Sequence, residues 1–270
     1  MSYTELESLS RGSRQQARQR AISEAVMEEG SVRIEALAER FDISVMTVHR
    51  DLDELEDRGL LRKSRGVATA TSTSLVESSD VYRSGRQIAQ KKAIARAALE
   101  FIEPGQALML DDSTTTLHLL PHLSDKTPLT VITNTLTIMN ELRNTRGTTM
   151  IGLGGDYYNW CSSFMGRMTV REIAELRADL FFMSTSAIVD DVCFHQTLET
   201  VDVKRAMFES ARLRVLLVDG TKFEKRALHA MLPLADFDAV IVDSSTAPEH
   251  VERLREQGST VVIAPALGTV

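Results

Sequence analysis

The segment of residues 31–66 constrains the fold of this 270-residue chain more than any other part of it. Apolar residues recur at helical spacing over 34–41 and again over 45–55. Only the tripeptide Asp42-Ile43-Ser44 separates the two runs, which predicts a tight turn with Ser44 as the N-cap of the second helix. An earlier helix is predicted over 14–29, where Gly30 supplies the stop.

A basic hairpin is predicted directly after these helices. Gly59 supplies a helix stop, and the short runs 60–62 and 67–69 flank a turn over 63–66, whose sequence is Lys-Ser-Arg-Gly. Two short helices joined by a tight turn and followed by a basic hairpin are the arrangement of a winged helix-turn-helix, whose second helix enters the major groove of DNA. Double-stranded operator DNA is therefore the first partner that the sequence predicts.

The distribution of charge supports contact with DNA, although the chain as a whole carries a net charge of −7. Residues 11–20 and 58–66 each hold four basic side chains and no acidic one, whereas residues 21–57 hold three basic and eleven acidic side chains. Two basic ends would meet backbone phosphates while an acidic flank faces solvent. An ordinary solvated surface is the alternative interpretation.

The helix predicted after Ser44, here called the recognition helix, has two different faces. Its predicted inward stripe consists of Val45, Val48, Leu52 and Leu55, and its outward side carries Met46, Thr47, Arg50 and Asp53, with His49 on the flank. Because a recognition helix reads base edges from its N-terminal turns, Arg50 is predicted to contact guanine. The DNA-binding residues predicted from the sequence are Arg14, Ser44, Met46, Thr47, His49, Arg50, Lys63 and Arg65.

The length of the chain favours two domains, each able to bury its own core. A small, polar run over 69–80 suits a linker, so we predict a DNA-binding domain over 1–69, a linker over 70–83 and a second domain over 84–270. The sequence holds no apolar run long enough to span a bilayer and no secretory signal at its start, which predicts a cytoplasmic protein. Cys161 and Cys193 lack metal-binding spacing, so we expect neither a metal site nor a cofactor.

From residue 84 onwards, helices alternate with short apolar strands, which predicts an α/β domain with a largely parallel sheet. The predicted strands are Ala107–Leu110, Leu129–Thr133, Thr149–Leu153, Leu180–Ser184, Val215–Val218, Ala239–Val242 and Thr260–Ile263. The predicted helices cover 85–102, 115–122, 135–144, 202–212 and 247–257.

The N-terminal motif resembles that of the DeoR family of bacterial transcriptional regulators, whose core reads Val/Ile-Ser-x-x-Thr-Val/Ile-Arg-Arg-Asp-Leu-x-x-Leu-Glu-x-x-Gly. The matching string here is Ile43-Ser44-Val45-Met46-Thr47-Val48-His49-Arg50-Asp51-Leu52, continued by Leu55-Glu56 and Gly59. His49 stands where an arginine is usual, and residues 63–68 differ from the family's Arg-x-His-Gly-Gly-Ala wing. The resemblance implies operator binding with contacts that differ at these positions.

The rest of the chain resembles the sensor half of the same family, which implies a fold related to sugar-phosphate isomerases and a phosphorylated sugar or related anionic metabolite as effector. The matching landmarks are Asp111-Asp112-Ser113-Thr114-Thr115, Thr133-Asn134, Gly154-Gly155, Arg177–Leu180, Ser184–Ala187, Val203–Met207 and Asp219–Phe223. The predicted effector-binding residues are Asp111, Ser113, Thr114, Thr115, Thr133, Asn134, Gly154, Gly155, Lys204 and Lys222.

The residue pattern independently supports a site at 111–116. This segment follows an apolar strand and opens a helix, which is where parallel sheets present hydroxyl and N–H groups to anions. Lys204 and Lys222 would supply positive charge, or they are simply solvated. Asp112 disfavours a nearby phosphate unless it turns away, and Ser113 in place of glycine makes a positive φ costlier.

Residues 156–160 hold two of the four tyrosines and the only tryptophan of the chain. Tyr157, Tyr158 and Trp160 suit stacking on a sugar, a subunit interface or an ordinary core, and the sequence leaves these possibilities open.

The sequence therefore predicts a repressor of a carbohydrate-catabolism operon, assembled as a homodimer or homotetramer because one winged helix reads too few base pairs. One alternative is a sugar-phosphate isomerase-like enzyme with a DNA-binding appendage. Its candidate acids and bases are Asp111, Asp190, Asp191, His195 and Glu199, but no spacing singles out a pair, and we assign no catalytic residue. Another alternative is a C-terminal domain that only oligomerises.

Overall fold

The computed structural model describes residues 11–29, 31–70, 77 and 80–267. The chain divides into two compact units, Met1–Ser79 and Asp80–Val270. A short helix, Asp80–Ser84, begins the second unit, so the last four residues of the predicted linker are helical. The predicted linker's residues 71–76, 78 and 79 lie outside the described residues.

The first unit has the predicted winged helix-turn-helix order, with one added strand. Asp42 adopts a left-handed conformation (φ 49°) in the turn between the second and third helices, and Gly59 (φ 71°) follows the end of the third. The strand Ser31–Arg33 was not predicted, and it pairs antiparallel with the second wing strand. The elements are α1 (Arg11–Glu29), β1 (Ser31–Arg33), α2 (Ile34–Phe41), α3 (Val45–Asp57), β2 (Leu61–Ser64) and β3 (Val67–Ala70).

The second unit is built on a seven-stranded sheet in which every pair of neighbouring strands is parallel. Its helices are α4 (Asp80–Ser84), α5 (Ile88–Ala98), α6 (Leu136–Leu142), α7 (Arg167–Ala174), α8 (Leu198–Glu209) and α9 (Pro248–Glu256). The sheet strands are β4 (Ala107–Leu110), β5 (Leu129–Thr133), β6 (Thr148–Gly152), β9 (Ala178–Met183), β12 (Ala211–Val218), β14 (Ala239–Asp243) and β15 (Val261–Ala264). All seven coincide with predicted strands, with ends shifted by a few residues.

Both faces of the sheet are covered, which explains why its strands read as continuous apolar runs. In β9, Phe181 packs on one face, with α7 and α8, whereas Phe182 packs on the other, with α5 and α6. Both side chains are fully buried.

Several short elements outside the parallel sheet were not predicted. They are the pair β7 (Asp156–Tyr158) and β8 (Ser163–Met165), the antiparallel sheet of β10 (Ala187–Val189), β11 (Val192–His195) and β13 (His229–Pro233), and helix α7. The helix predicted over 202–212 begins at Leu198 and ends at Glu209, and the one predicted over 115–122 is a 3-10 helix, Thr116–Lys126.

Across the sheet the strands lie in the order β15-β14-β12-β9-β4-β5-β6. The direction in which the chain adds strands to this sheet reverses at β4. From β4 the chain adds β5 and β6 on one side, and then returns to add β9, β12, β14 and β15 on the other. In open parallel sheets such a switch point leaves a crevice at the carboxyl ends of the two central strands, where ligands bind. Residues 111–116 follow β4 and Ser184 follows β9, so both border this crevice.

Within the described residues, no helix is both long enough and apolar enough to cross a membrane.

Candidate functional site

The recognition helix α3 begins with the predicted N-cap. The Ser44 Oγ accepts a hydrogen bond from the backbone N–H of Thr47 (3.1 Å), and the two hydroxyl oxygens lie 2.8 Å apart. Val48, Leu52 and Leu55 are buried as predicted. Val45 was expected to face inward but is 42% exposed, because the first residue after the cap lies beyond the edge of the core.

Most of the predicted DNA-binding side chains are open to solvent. Arg14 on α1, Met46 and Arg50 on α3 and Arg65 at the wing tip are exposed, and His49 is half-buried. Arg65 and Gly66 both have positive φ (48° and 76°), as a two-residue hairpin turn requires.

Two ion pairs hold the helices and the wing together. The buried Asp51 carboxylate accepts two hydrogen bonds from the Arg18 guanidinium (2.6 and 3.0 Å). Arg18, one of the four arginines expected to meet phosphates, therefore joins α1 to α3. Lys63 pairs with Asp53, and its backbone N–H donates to Glu56 (3.0 Å), so this predicted DNA contact also fastens β2 to α3.

The second unit holds a buried polar loop at the switch point. Asp111, Asp112, Ser113, Thr114, Thr115 and Thr116 are all buried. The Asp111 carboxylate organises this loop: it accepts from the backbone N–H of Ser113 (3.0 Å) and, across the crevice, from that of Ser184 (2.9 Å). The expected strain at Ser113 does not arise, because Ser113 is not among the described residues with positive φ.

Lys204 has a different role from the predicted one. Its ammonium lies 2.6 Å from Asp111 Oδ2, 2.9 Å from Asp112 Oδ1 and 3.1 Å from the carbonyl oxygen of Ser184. An ammonium has three N–H donors, and these three protein acceptors use all of them. Lys204 therefore neutralises two buried carboxylates and positions the loop, and it has no donor left for a ligand.

The ion pair with Lys204 stabilises the ionised form of Asp112. Burial by itself would raise the pKa of Asp112, but the Lys204 ammonium and the nearby charges of Arg83 and His195 outweigh that effect and lower the pKa to about 2. For the same reason the carboxylates keep the pKa of Lys204 above its usual range despite burial. The repulsion expected between Asp112 and an anionic ligand is thus largely offset by Lys204.

A cation that the sequence analysis missed contacts the loop directly. Lys91 on α5 is 4% exposed, and its ammonium donates to Thr114 Oγ1 (2.8 Å) and to the backbone carbonyl of Arg83. Burial lowers the pKa of Lys91 to about 7, and the positive charges of Lys222, Arg83 and Lys225 contribute, whereas Asp219 opposes them. The signal for this residue was its place on the apolar stripe of α5, three, four and seven residues before Ile94, Ala95 and Ala98.

Among the described residues around the loop, three buried acceptor oxygens have no hydrogen-bond donor. They are Asp112 Oδ2, Asn134 Oδ1 and Gln196 Oε1. Asn134 follows β5, the neighbour of β4, and its amide nitrogen is fixed by the carbonyl of Phe164 (2.8 Å). Gln196 follows His195, whose charge acts on Asp112. Buried polar atoms without a partner are costly, so these oxygens mark where the O–H or N–H groups of a ligand would bind.

The other predicted effector residues mainly support the fold. The backbone N–H of Gly154 donates to Glu172 (3.0 Å), and its carbonyl accepts from the Thr169 hydroxyl (2.7 Å). Gly155 has φ 147°, and a Cβ there would collide with Thr169 on α7. The Thr133 hydroxyl accepts from the backbone N–H of Thr135 (3.1 Å). These groups pack the elements around the loop.

The aromatic cluster divides into different environments. Tyr158 and Trp160 pack against the core, whereas Tyr157 is 45% exposed and contacts Phe164. The Trp160 ring lies 6.2 Å from the His195 ring and 5.9 Å from the Arg83 guanidinium carbon, so its surroundings overlap those of the loop.

The residues proposed for an enzyme do not form an acid and base pair. Asp190 and Asp191 form the two-residue turn between β10 and β11, and Asp191 pairs with Arg253 (2.7 Å). The Asp111 carboxylate is fully engaged, and Glu199 is exposed on the first turn of α8.

Comparisons with known proteins agree with this two-part construction. Residues 18–74 match the family model described as the DeoR-like helix-turn-helix domain, and residues 86–244 match the DeoR C terminal sensor domain. The HTH-type transcriptional regulator YgbI of Escherichia coli K12 is 32% identical over 92% of this chain and 97% of its own length. The lactose phosphotransferase system repressor of Staphylococcus aureus N315 is 32% identical over 87% of this chain and 94% of its own length.

Among solved structures, a ribose 5-phosphate isomerase from Methanocaldococcus jannaschii is similar over 49% of this chain and 53% of its own, with a TM-score of 0.37 and 13% identity. A TM-score this low adds nothing to the fold described above. The two domain matches and the relatives establish the identity instead: the chain belongs to the DeoR family of DNA-binding transcriptional regulators, and it is a regulator rather than an enzyme.

Proposed function

We propose that this regulator is a repressor of a carbohydrate-catabolism operon and that a phosphorylated sugar or a related small anion bound at the switch point controls it. The observation that carries the proposal is the buried loop at 111–116, with Lys91 for an anion and unpartnered acceptors for hydroxyl groups. A lactose phosphotransferase system repressor among the relatives agrees with control by a carbohydrate.

On the DNA side, α3 enters the major groove and the wing tip meets the backbone. Arg50 is exposed two turns into α3 and can donate two hydrogen bonds to the edge of a guanine. Arg14 and Arg65 are exposed and would neutralise phosphates, whereas Ser44 and Thr47 fix the start of the helix.

The test of DNA binding uses Arg50→Ala in the full chain. Loss of a two-hydrogen-bond base contact is expected to weaken binding to the chain's own promoter fragment about tenfold or more, while non-specific binding changes little. Arg96→Ala, which removes an exposed arginine from α5, is the control. A folded Arg50→Ala protein with unchanged affinity and selectivity would overturn this interface.

In the proposed effector site, the lysine ammonium and the acceptor oxygens suit different parts of one ligand molecule. The Lys91 ammonium, with Lys222 nearby, suits a phosphate, and Asp112, Asn134 and Gln196 accept from sugar hydroxyls. Because one ligand must satisfy both, a phosphorylated sugar fits better than a neutral sugar or inorganic phosphate alone.

The test of effector binding titrates phosphorylated sugars, polyols and sugar acids into the full chain, with Trp160 fluorescence and promoter binding as the two signals. Trp160 is the only tryptophan and lies beside the loop, so its emission should report occupancy. A response that requires a higher effector concentration in Lys91→Met than in the parent would support the site. No response in either signal would favour the alternative of a domain that only oligomerises.

We also propose a homodimer or homotetramer acting in the cytoplasm, because a symmetric operator needs at least two winged helices. Sedimentation of the full chain with and without operator DNA measures the number of copies, and a monomer in both states would contradict this part of the proposal.

A further inference from the structure

The start of the recognition helix exposes two apolar side chains. Val45 is 42% exposed and Met46 is 70% exposed, whereas Val48 and Leu52 on the same helix are fully buried. Among the large apolar side chains described in residues 14–68, these two alone are markedly exposed. As the first two residues of α3, they give its N-terminal turn two exposed apolar side chains, here called the apolar surface of α3.

The cap fixes this surface in place. The hydroxyls of Ser44 and Thr47 are hydrogen-bonded to each other, and Ser44 also accepts from the Thr47 backbone N–H. The first turn of α3 therefore offers mainly Val45 and Met46 to a partner. Met46 lies one helical turn before Arg50, on the same side of the helix.

The unit that carries this surface also exposes basic side chains that suit a polyanionic partner. Arg50, Arg65 and Arg14 are exposed basic side chains of the same unit. The major groove presents one apolar group on its base edges, the C5-methyl group of thymine. DNA combines phosphates with accessible methyl groups, so it suits a unit that exposes both arginines and the apolar side chains of Val45 and Met46.

We propose that Val45 and Met46 determine part of the operator specificity by contacting thymine methyl groups beside the guanine read by Arg50. This inference rests on the proposed DNA-binding role of α3. It predicts that each operator half-site carries thymine at one or two fixed positions next to the Arg50 contact.

The test begins with the full chain and a pool of random duplexes, from which repeated selection yields the preferred operator. Each thymine of that operator is then replaced by deoxyuridine, which pairs identically but lacks the methyl group. For the parent protein, replacement at the contacted positions is expected to weaken binding about fourfold per methyl group. Other thymines should have no effect.

The variants Val45→Ala and Met46→Ala assign the effect to these side chains. Each variant should lose the difference between thymine and deoxyuridine at its own position while keeping its circular dichroism spectrum. Met168→Ala, which shortens an equally exposed methionine in the second unit, should keep the difference.

Two results would overturn the inference while leaving DNA binding intact. One is a selected operator that the parent binds equally well with deoxyuridine at every position. The other is thymine discrimination that survives in both Val45→Ala and Met46→Ala, since other side chains would then read the methyl groups. Failure to select any duplex would overturn the DNA-binding role itself, and this inference with it.

Discussion

Asp111 and Asp112 are adjacent buried carboxylates, and at the scale of single residues the Lys204 ammonium makes their burial possible. Because the pKa of Asp112 is lowered in the folded protein, its ionisation stabilises the fold above the usual pKa of an aspartate, and this contribution is lost as the pH falls through about 2. The pKa of Lys204 is raised, so its contribution is fully present below the pKa of an unfolded lysine. The cluster should therefore contribute a constant stability between about pH 5 and 9.

Replacing Lys204 with methionine is expected to lower the free energy of unfolding by about 3–5 kcal/mol at pH 7, because it leaves two buried carboxylates without a counter-charge. Denaturation by urea measures this change. Lys92→Met, at an exposed position of α5, should change the stability by less than about 0.5 kcal/mol. The deficit should shrink as the pH falls towards about 2 and Asp112 takes up a proton, and a deficit independent of pH would contradict the assigned role.

The lowered pKa of Lys91 predicts that effector binding depends on pH. With a pKa of about 7 in the free protein, its amine must take up a proton above that pH in order to pair with a phosphate. The charged groups that act on it are Lys222, Arg83, Lys225 and Asp219. Affinity for a phosphorylated sugar should therefore fall over this range, by up to about tenfold per pH unit.

Calorimetric titration at pH 7, 8 and 9 checks this expectation, because phosphate itself is already a dianion there. Lys91→Met should bind more weakly and with little pH dependence, whereas Lys92→Met should follow the parent protein. A parent affinity that stays constant from pH 7 to 9 would show that Lys91 does not pair with the ligand.

At the scale of elements, the orientation of the recognition helix depends on α1. Asp51 is 1% exposed and accepts two hydrogen bonds from Arg18, and Gln19 donates to the same carboxylate (3.2 Å). The carboxylate also favours the charged guanidinium, since its hydrogen bond raises the pKa of Arg18 despite some burial. These contacts join α1 to the middle of α3.

Asp51→Ala is expected to destabilise the first unit by about 2–4 kcal/mol, because it leaves donors of Arg18 and Gln19 without their buried acceptor. Asp53→Ala is the matched control on the same helix: its carboxylate is 58% exposed and pairs with Lys63, so its loss should cost at most about 1 kcal/mol. Thermal unfolding of both variants measures the difference, and equal effects would mean that the Asp51 pair does not hold α3.

At the scale of the whole molecule, helix α4 begins the second unit and contacts Lys91 and Trp160 of the proposed effector site. The backbone N–H of Asp80 donates to the carbonyl of Trp160 (2.8 Å), the Arg83 guanidinium lies over the Trp160 ring, and the Arg83 carbonyl accepts from Lys91. A ligand that moves Lys91 or Trp160 would therefore also act on α4, the helix with which the second unit begins.

Trp160→Leu keeps an apolar side chain but removes the ring above Arg83. We expect effector binding to persist while the change in operator affinity caused by the effector falls about fivefold, since allosteric control requires contacts that differ between two states. Promoter binding measured with and without the effector checks this. Unchanged control in Trp160→Leu would exclude this ring as the link between site and helix.

Much of this architecture was predictable because apolar periodicity reflects burial directly. The helices of the first unit and all seven strands of the parallel sheet were found in this way. The loop after β4 was predicted instead from the family resemblance and from its place between an apolar strand and a helix. Val45 was wrongly placed inside because periodicity gives the direction of a side chain but not the edge of the core. Lys91 was missed although it lies on the apolar stripe of α5, because lysines are seldom buried and its partner Thr114 lies elsewhere in the chain.

The sequence by itself determined the local features of this protein: the capped recognition helix, the wing turn, the run of parallel strands and the polar loop at 111–116. Each leaves a recognisable pattern of residue types over a short stretch of the chain. Only the tertiary structure decided how the charges are used, because Lys204 meets Asp111 across 93 positions and Lys91 meets Thr114 across 23. Packing removes these groups from water. Lys204 thereby becomes the counter-ion of two buried carboxylates, and Lys91 becomes a candidate group for binding an anion.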